Sequence, residues 1–131
     1  MKLFVDANVL FTAAYSPQGK AAFLFDSLAS LIVTSDYAAE EARRNILAKK
    51  PAASAGLEKI LAQIEIIASA QGDACPIDLP SKDQPIFLSA LKAKATHLLT
   101  GDLKDFGAHM NKPEVSAGII IQTVAEFLTA L

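Results

Sequence analysis

Lys2-Leu3-Phe4-Val5-Asp6-Ala7-Asn8-Val9-Leu10 is the stretch from which the fold can be read. Three apolar residues run straight into a carboxylate, and an amide follows two residues later. A short continuous apolar run of this kind predicts a strand buried in a parallel sheet. Asp6 at its end serves no packing purpose, because a carboxylate taken out of water is costly unless something compensates it. Open parallel sheets bind ligands at the carboxyl ends of their strands. What else reaches the edge where Asp6 stands then decides the chemistry.

Composition narrows the setting. With 131 residues the chain is expected to form one domain, residues 1–131, with a single real core. Apolar residues make up 52% and charged residues 20%, which excludes general disorder. No apolar run approaches the roughly 18 residues of a membrane span. Asp6 and Asn8 also make the first apolar run a poor signal peptide, so the expected location is the cytoplasm, with no membrane partner. Cys75 is the single cysteine and reads as an inert loop thiol, without an internal disulfide or a cysteine-type zinc site. The net charge of −2 speaks at first against a nucleic-acid partner. Setting four acids aside for a metal leaves twelve basic against ten acidic residues, a balance that permits an anionic substrate.

Downstream, Ser16-Pro17-Gln18-Gly19 is a turn cluster, and Ala21 to Leu28 form a helix with a broad apolar face. Leu31-Ile32-Val33-Thr34 predicts a second buried strand, and Ser35 caps a helix that runs to about Lys49 and stops before Pro51. Gly56 interrupts the next segment, where Leu57, Ile60, Leu61 and Ile64 keep helical spacing. Glu65-Ile66-Ile67-Ala68 fits a helix extension or a third strand equally well. Ser69 to Pro80 is a long loop. Ser81 and Gln84 have capping-box spacing, with Asp83 as a competing cap, ahead of a helix that turns Ile86, Phe87, Ala90 and Leu91 inward. Thr96 to Thr100 is the next strand, closed by Gly101-Asp102. Asp102 and Asp105 then share a polar turn with room for one helical turn. After an irregular stretch, Gly118 to Ile121 is the last strand, and Thr123 with Glu126 forms a capping box before the final helix. Strands alternating with helices predict an α/β sandwich around a mostly parallel sheet.

Two strands end alike, in Phe4-Val5-Asp6 and in Leu99-Thr100-Gly101-Asp102. A parallel sheet brings both aspartates to one edge, and helices that follow strands begin there too. Asp83 stands at such a helix start, and Glu41 lies about one turn inside another, with Glu40 beside it. Converging carboxylates repel and raise one another's pKa unless a cation neutralises them. An all-oxygen set without committed Cys or His points to Mg²⁺ or Mn²⁺, held by Asp6, Asp83 and Asp102. Water activated on such an ion beside a phosphodiester gives hydrolysis. Asn8 and Thr100 are suited to orient Asp6 and Asp102, or simply to turn the chain and end a strand. Arg43, Arg44, Lys49 and Lys50 suit phosphate contacts or a solvated helix face. His97 and His109 have no metal-ligand spacing and read as structural.

The arrangement resembles the PIN-domain ribonucleases, including the VapC-like toxins of type II toxin–antitoxin pairs, over nearly the whole chain. The family's opening Asp matches Asp6 in Val5-Asp6-Ala7-Asn8-Val9-Leu10, and its helical Glu matches Glu41 in Tyr37-Ala38-Ala39-Glu40-Glu41-Ala42-Arg43. Its third acid matches Asp83 in Lys82-Asp83-Gln84-Pro85-Ile86, and its fourth matches Asp102. Asp105 falls where some members place an additional acid. Adjacent residues point about 100° apart around a helix, so only one of Glu40 and Glu41 aims at the site. Glu41 fits the family register, in which the Glu precedes a core residue. The resemblance implies a three-layer PIN-like fold and a Mg²⁺- or Mn²⁺-dependent endoribonuclease with Asp6, Glu41, Asp83 and Asp102 as catalytic acids. For the toxin branch it further implies a homodimer and a small antitoxin partner.

Three other readings compete. A haloacid-dehalogenase-type phosphatase also opens with a strand ending in Asp, but wants a second Asp where this chain has Asn8. A phosphoreceiver domain wants an acidic pair near the N-terminus and a mid-chain phosphoacceptor Asp. A binding module on an inactive PIN fold would not need the intact set of acids.

Overall fold

β1 (Leu3–Val5) is buried along its whole length and forms the middle strand of the sheet in the computed structural model, which describes residues 1–70 and 72–131. β2 (Ile32–Ser35) and β4 (His97–Leu99) flank it, and β3 (Glu65–Ile67) and β5 (Ile120–Gln122) are the edges, in the order β3-β2-β1-β4-β5. Every pairing is parallel, with Phe4 opposite both Val33 and Leu98, and Leu98 opposite Ile121. Parallel neighbours need crossovers, and helices supply them.

The helices are α1 (Ala7–Tyr15), α2 (Lys20–Leu28), α3 (Asp36–Lys49), α4 (Ser54–Leu61), α5 (Gln84–Lys92), α6 (Leu103–Phe106) and α7 (Val124–Thr129). α1 packs against α2, α3 and α4, and α5 lies on β2 and β4. Leu3, Phe4, Val5, Leu98 and Leu99 have no exposed surface, as strands covered on both faces require. The result is the expected α/β sandwich, with one hydrophobic core cluster running from Leu3 to Phe127.

Local signals explain most boundaries. Ser35 Oγ accepts from Ala38 N at 3.1 Å and starts α3, which ends ahead of Pro51. The Thr123–Glu126 capping box forms in both directions, at 2.9 and 3.1 Å. Other expectations need correction. Gly56 does not interrupt a helix; α4 starts at Ser54 and runs through it. Residues 65–67 resolve as strand β3, a half-exposed edge. Ser81 and Gln84 do not form a capping box, because Gln84 Nε2 donates instead to the carbonyl of Leu79 at 3.0 Å.

The strand order reverses between β1 and β4. Chain leaving β1 turns toward β2 and β3, whereas chain leaving β4 turns toward β5. This switch point opens a crevice beyond the carboxyl ends of β1 and β4, where Asp6 and Asp102 follow.

Candidate active site at the carboxyl edge of the sheet

Asp6 leaves the sheet with its backbone N–H bonded to the carbonyl of Leu99 at 3.0 Å. Its Oδ1 accepts from Ala7 N at 2.7 Å and so caps α1. Its Oδ2 accepts from Thr100 Oγ1 at 2.8 Å and from Asn8 Nδ2 at 3.1 Å. Only 4% of the residue is exposed. Burial pushes its carboxyl up to about 6, against the pull of the Thr100 and Ala7 bonds, with the negative charges of Glu41 and Asp102 adding to the rise.

Thr100 and Asn8 tie the two strand ends together. Thr100 Oγ1 accepts from Asp102 N at 3.1 Å while donating to Asp6. Asn8 Oδ1 accepts from Gly101 N at 2.7 Å, and its Nδ2 also reaches Thr100 Oγ1 at 3.2 Å. Both side chains therefore hold Asp6 and the Asp102 backbone in fixed relation.

A second cluster lies on the other side of Asp102. Asp83 occupies the residue before α5 yet makes no capping bond, so its carboxylate is not engaged by the helix and is turned inward, 6% exposed. Asp102 caps α6 through Oδ1, which accepts from Asp105 N at 3.1 Å. Asp83, Asp102 and Asp105 each bring an oxygen within 4.8 Å of the other two. Burial raises the Asp83 carboxyl to about 7, helped by its contact with Asp105, while the Lys82 ammonium opposes the rise. Asp105 is held down at about 2, chiefly by its hydrogen bond from Lys82.

The expected site residues fall into place unevenly. Asp83 and Asp102 come together with Asp105, the acid treated from sequence as a possible addition. Asp6 is not in that close trio; it stands behind Thr100, beside Asp102. Glu41 is half-buried and lines a depression with Asn8, Phe11, Asn45 and Lys49. Glu40 is exposed, 3.8 Å from Arg43. Arg43 closes its guanidinium on Glu58 of α4 with two bonds, at 2.9 and 3.1 Å. Arg44 stays exposed, on a groove shared with Tyr37 and Glu40. Lys50 Nζ donates to the carbonyl of Tyr15 at 2.8 Å, at the C-terminus of α1. His97 packs edge-on against Phe127, away from the acids.

Lys82 and Tyr37 escaped sequence reasoning. Lys82 Nζ lies 2.8 Å from Asp105, 3.2 Å from Asp83 and 3.9 Å from Asp102. Tyr37 donates its hydroxyl to the Lys82 carbonyl at 2.8 Å. Two signals were present: a cation directly before an acid, and the four-residue spacing that puts Tyr37 on the Glu41 face of α3.

No family model matches the sequence, and no curated protein matches it. Solved structures do match. VapBC2 of Rickettsia felis bound to a DNA fragment from its promoter aligns with a TM-score of 0.67 and 17% identity, over 94% of this chain and 98% of that one. VapC20 of Mycobacterium tuberculosis, a sarcin–ricin loop cleaving toxin, aligns at 0.62 and 13% identity, over 82% and 95%. The PIN domain of RRP44 from T. brucei aligns at 0.57 and 12% identity, over 98% and 79%. At these identities the likeness establishes a shared fold.

Proposed function

Starting from a chain with the PIN-domain fold, we propose that this protein is a Mg²⁺- or Mn²⁺-dependent endoribonuclease and the toxin of a toxin–antitoxin pair. One observation carries the reading: Asp83, Asp102 and Asp105 share a space within 4.8 Å at the switch point of the sheet, with Asp6 and Glu41 next to it. The donor set suits a hard divalent ion, because it is all oxygen and includes no thiolate or imidazole. Asp83, Asp102 and Asp105 would hold it, with Asp6 as a further ligand or as the charge that orients them. A bound ion of this kind supplies Lewis-acid polarisation of a phosphodiester oxygen and a more acidic water.

The chain's own groups do the remaining work. Asn8 and Thr100 fix the Asp6 carboxylate. Glu41, half-buried and near Asp6, would serve as a further ligand or orient the attacking water and take its proton. Arg44 and Lys49 supply positive charge on either side of Glu41 for the RNA backbone. The partners proposed are RNA, a small antitoxin and a second copy of the chain. The structural neighbours that are VapBC complexes support the antitoxin. No helix among the described residues is long and apolar enough to cross a membrane, and the proposed location is the cytoplasm. A phosphatase reading gains no support, since Asn8 is bonded to Asp6, Thr100 and Gly101 where that chemistry wants an acid.

The test is RNA cleavage across a Mn²⁺ titration, with wild type beside Asp6→Asn and Asp83→Asn. Each substitution is expected to lower cleavage by about a hundredfold or more, in the range seen when positioned charge is removed from an active site. Metal-independent cleavage, or a loss below about tenfold in both variants, overturns the reading.

A further inference from the structure

The acid trio already holds a cation belonging to the chain. Lys82 Nζ donates to Asp105 at 2.8 Å and to Asp83 at 3.2 Å, and forms a longer ion pair with Asp102 at 3.9 Å. Its main chain is anchored by the Tyr37 hydroxyl on the Lys82 carbonyl. Its side chain is 66% exposed, so the stem is free to swing into water without disturbing the core. An ammonium is a single charge on a flexible four-carbon stem. It offsets one of the three acids, whereas a divalent ion offsets two and binds the oxygens directly.

We propose that Lys82 is a displaceable internal counter-ion that occupies the Asp83–Asp102–Asp105 trio in the absence of a divalent cation and leaves when one binds. The inference rests on the metal-site reading above and deepens it. Lys82 sets the concentration of divalent cation at which the site fills, keeping the acids folded together until then. The same contacts make it a competitor of the metal.

The experiment is calorimetric titration of the intact chain with MnCl₂, without RNA, for wild type, Lys82→Met and Lys82→Arg. Lys82→Met keeps the aliphatic stem and removes the charge. It is expected to bind Mn²⁺ about tenfold more tightly than wild type, the effect of deleting one competing charge near a partly exposed site. Lys82→Arg keeps the charge and is expected to stay well below that gain. In wild type, Mn²⁺ is also expected to speed acylation of the Lys82 amine by an amine-reactive ester severalfold, leaving exposed Lys59 unchanged. Acylation needs no variant, so it stands even if Lys82→Met fails to fold. Mn²⁺ affinity in Lys82→Met equal to or weaker than wild type, or acylation of Lys82 indifferent to Mn²⁺, overturns the counter-ion role and leaves the metal site standing. No Mn²⁺ binding by any of the three proteins overturns the metal site and the counter-ion together.

Discussion

Asp6 accepts three hydrogen bonds and its carboxyl still sits near 6, so burial outweighs the donors that favour its charged form. In the unfolded chain the same group titrates near 3.8. Between those values the folded protein holds more protons, so its stability falls as pH rises through the window. At about 1.4 kcal/mol per pKa unit, the charged Asp6 costs the metal-free fold about 3 kcal/mol at neutral pH. Asp83 acts in the same direction up to about 7. In EDTA, wild type is therefore expected to withstand more urea at about pH 5 than at about pH 7. Asp6→Asn, which removes the titration, should narrow that difference; an unchanged difference would show that Asp6 is not its source. Thr100→Val probes the partner. It leaves Asp6 Oδ2 and Asp102 N each short of a bond, and should cost about 1–3 kcal/mol by urea unfolding. Asp6 was legible because a carboxylate at the end of a buried run contradicts its surroundings. Asp105 was ambiguous for the opposite reason, since aspartate in a polar turn is ordinary. Lys82 gave only half a signal: it directly precedes Asp83, but Asp102 and Asp105 lie up to 23 positions away and meet it only through the fold.

Among the elements, α3 separates adjacent acids by geometry alone. Glu41 turns toward the site, while Glu40 joins Arg43 on the side that meets α4. The same helix uses its two arginines differently: Arg43 clamps Glu58 and links α3 to α4, and Arg44 is the more exposed of the two on the open groove that both line. An exposed pair of this kind is worth at most about 1 kcal/mol. Arg43→Ala should thus lower stability by that amount in a urea melt and leave RNA affinity nearly unchanged. Arg44→Ala should leave stability unchanged, weaken RNA binding and reduce its salt slope by about one. Equal losses of RNA affinity in the two variants would undo this division of roles. Elements with caps or full burial were readable, as Ser35, the Thr123–Glu126 box and the apolar runs of β1, β2 and β4 illustrate. α1 went unassigned because its cap is Asp6 itself, which reads first as the end of a strand. β3 stayed open because a three-residue, half-exposed edge has too little pattern to separate it from a helix end.

Across the molecule, alternating strands and helices announce a parallel sheet, but nothing local announces that β4 returns beside β1. That return assembles the site, carrying Asp102 and Asp105 next to Asp6 and bringing Asp83 in on α5. The fold thereby gathers Asp83, Asp102 and Asp105 around the Lys82 ammonium, with Asp6 and Glu41 beside them. Such an excess of negative charge weakens the metal-free state and rewards any cation that enters. A ligand that binds only the folded form at a hundred times its Kd adds about 2.7 kcal/mol. Metal ligation needs deprotonated carboxylates, so the gain must grow as pH rises past the carboxyls of Asp6 and Asp83, near 6 and 7. Thermal melts with and without saturating Mn²⁺ should show a larger rise in Tm at about pH 7.5 than at about pH 5.5, reversed in both cases by excess EDTA. The metal-free protein moves the opposite way over that interval, losing stability as the same carboxyls ionise. A stability that falls with pH without Mn²⁺ and stays level in saturating Mn²⁺ is the mark of acids assembled to be neutralised by an ion. Parallel slopes would mean that Lys82 and the hydrogen bonds already meet their whole need.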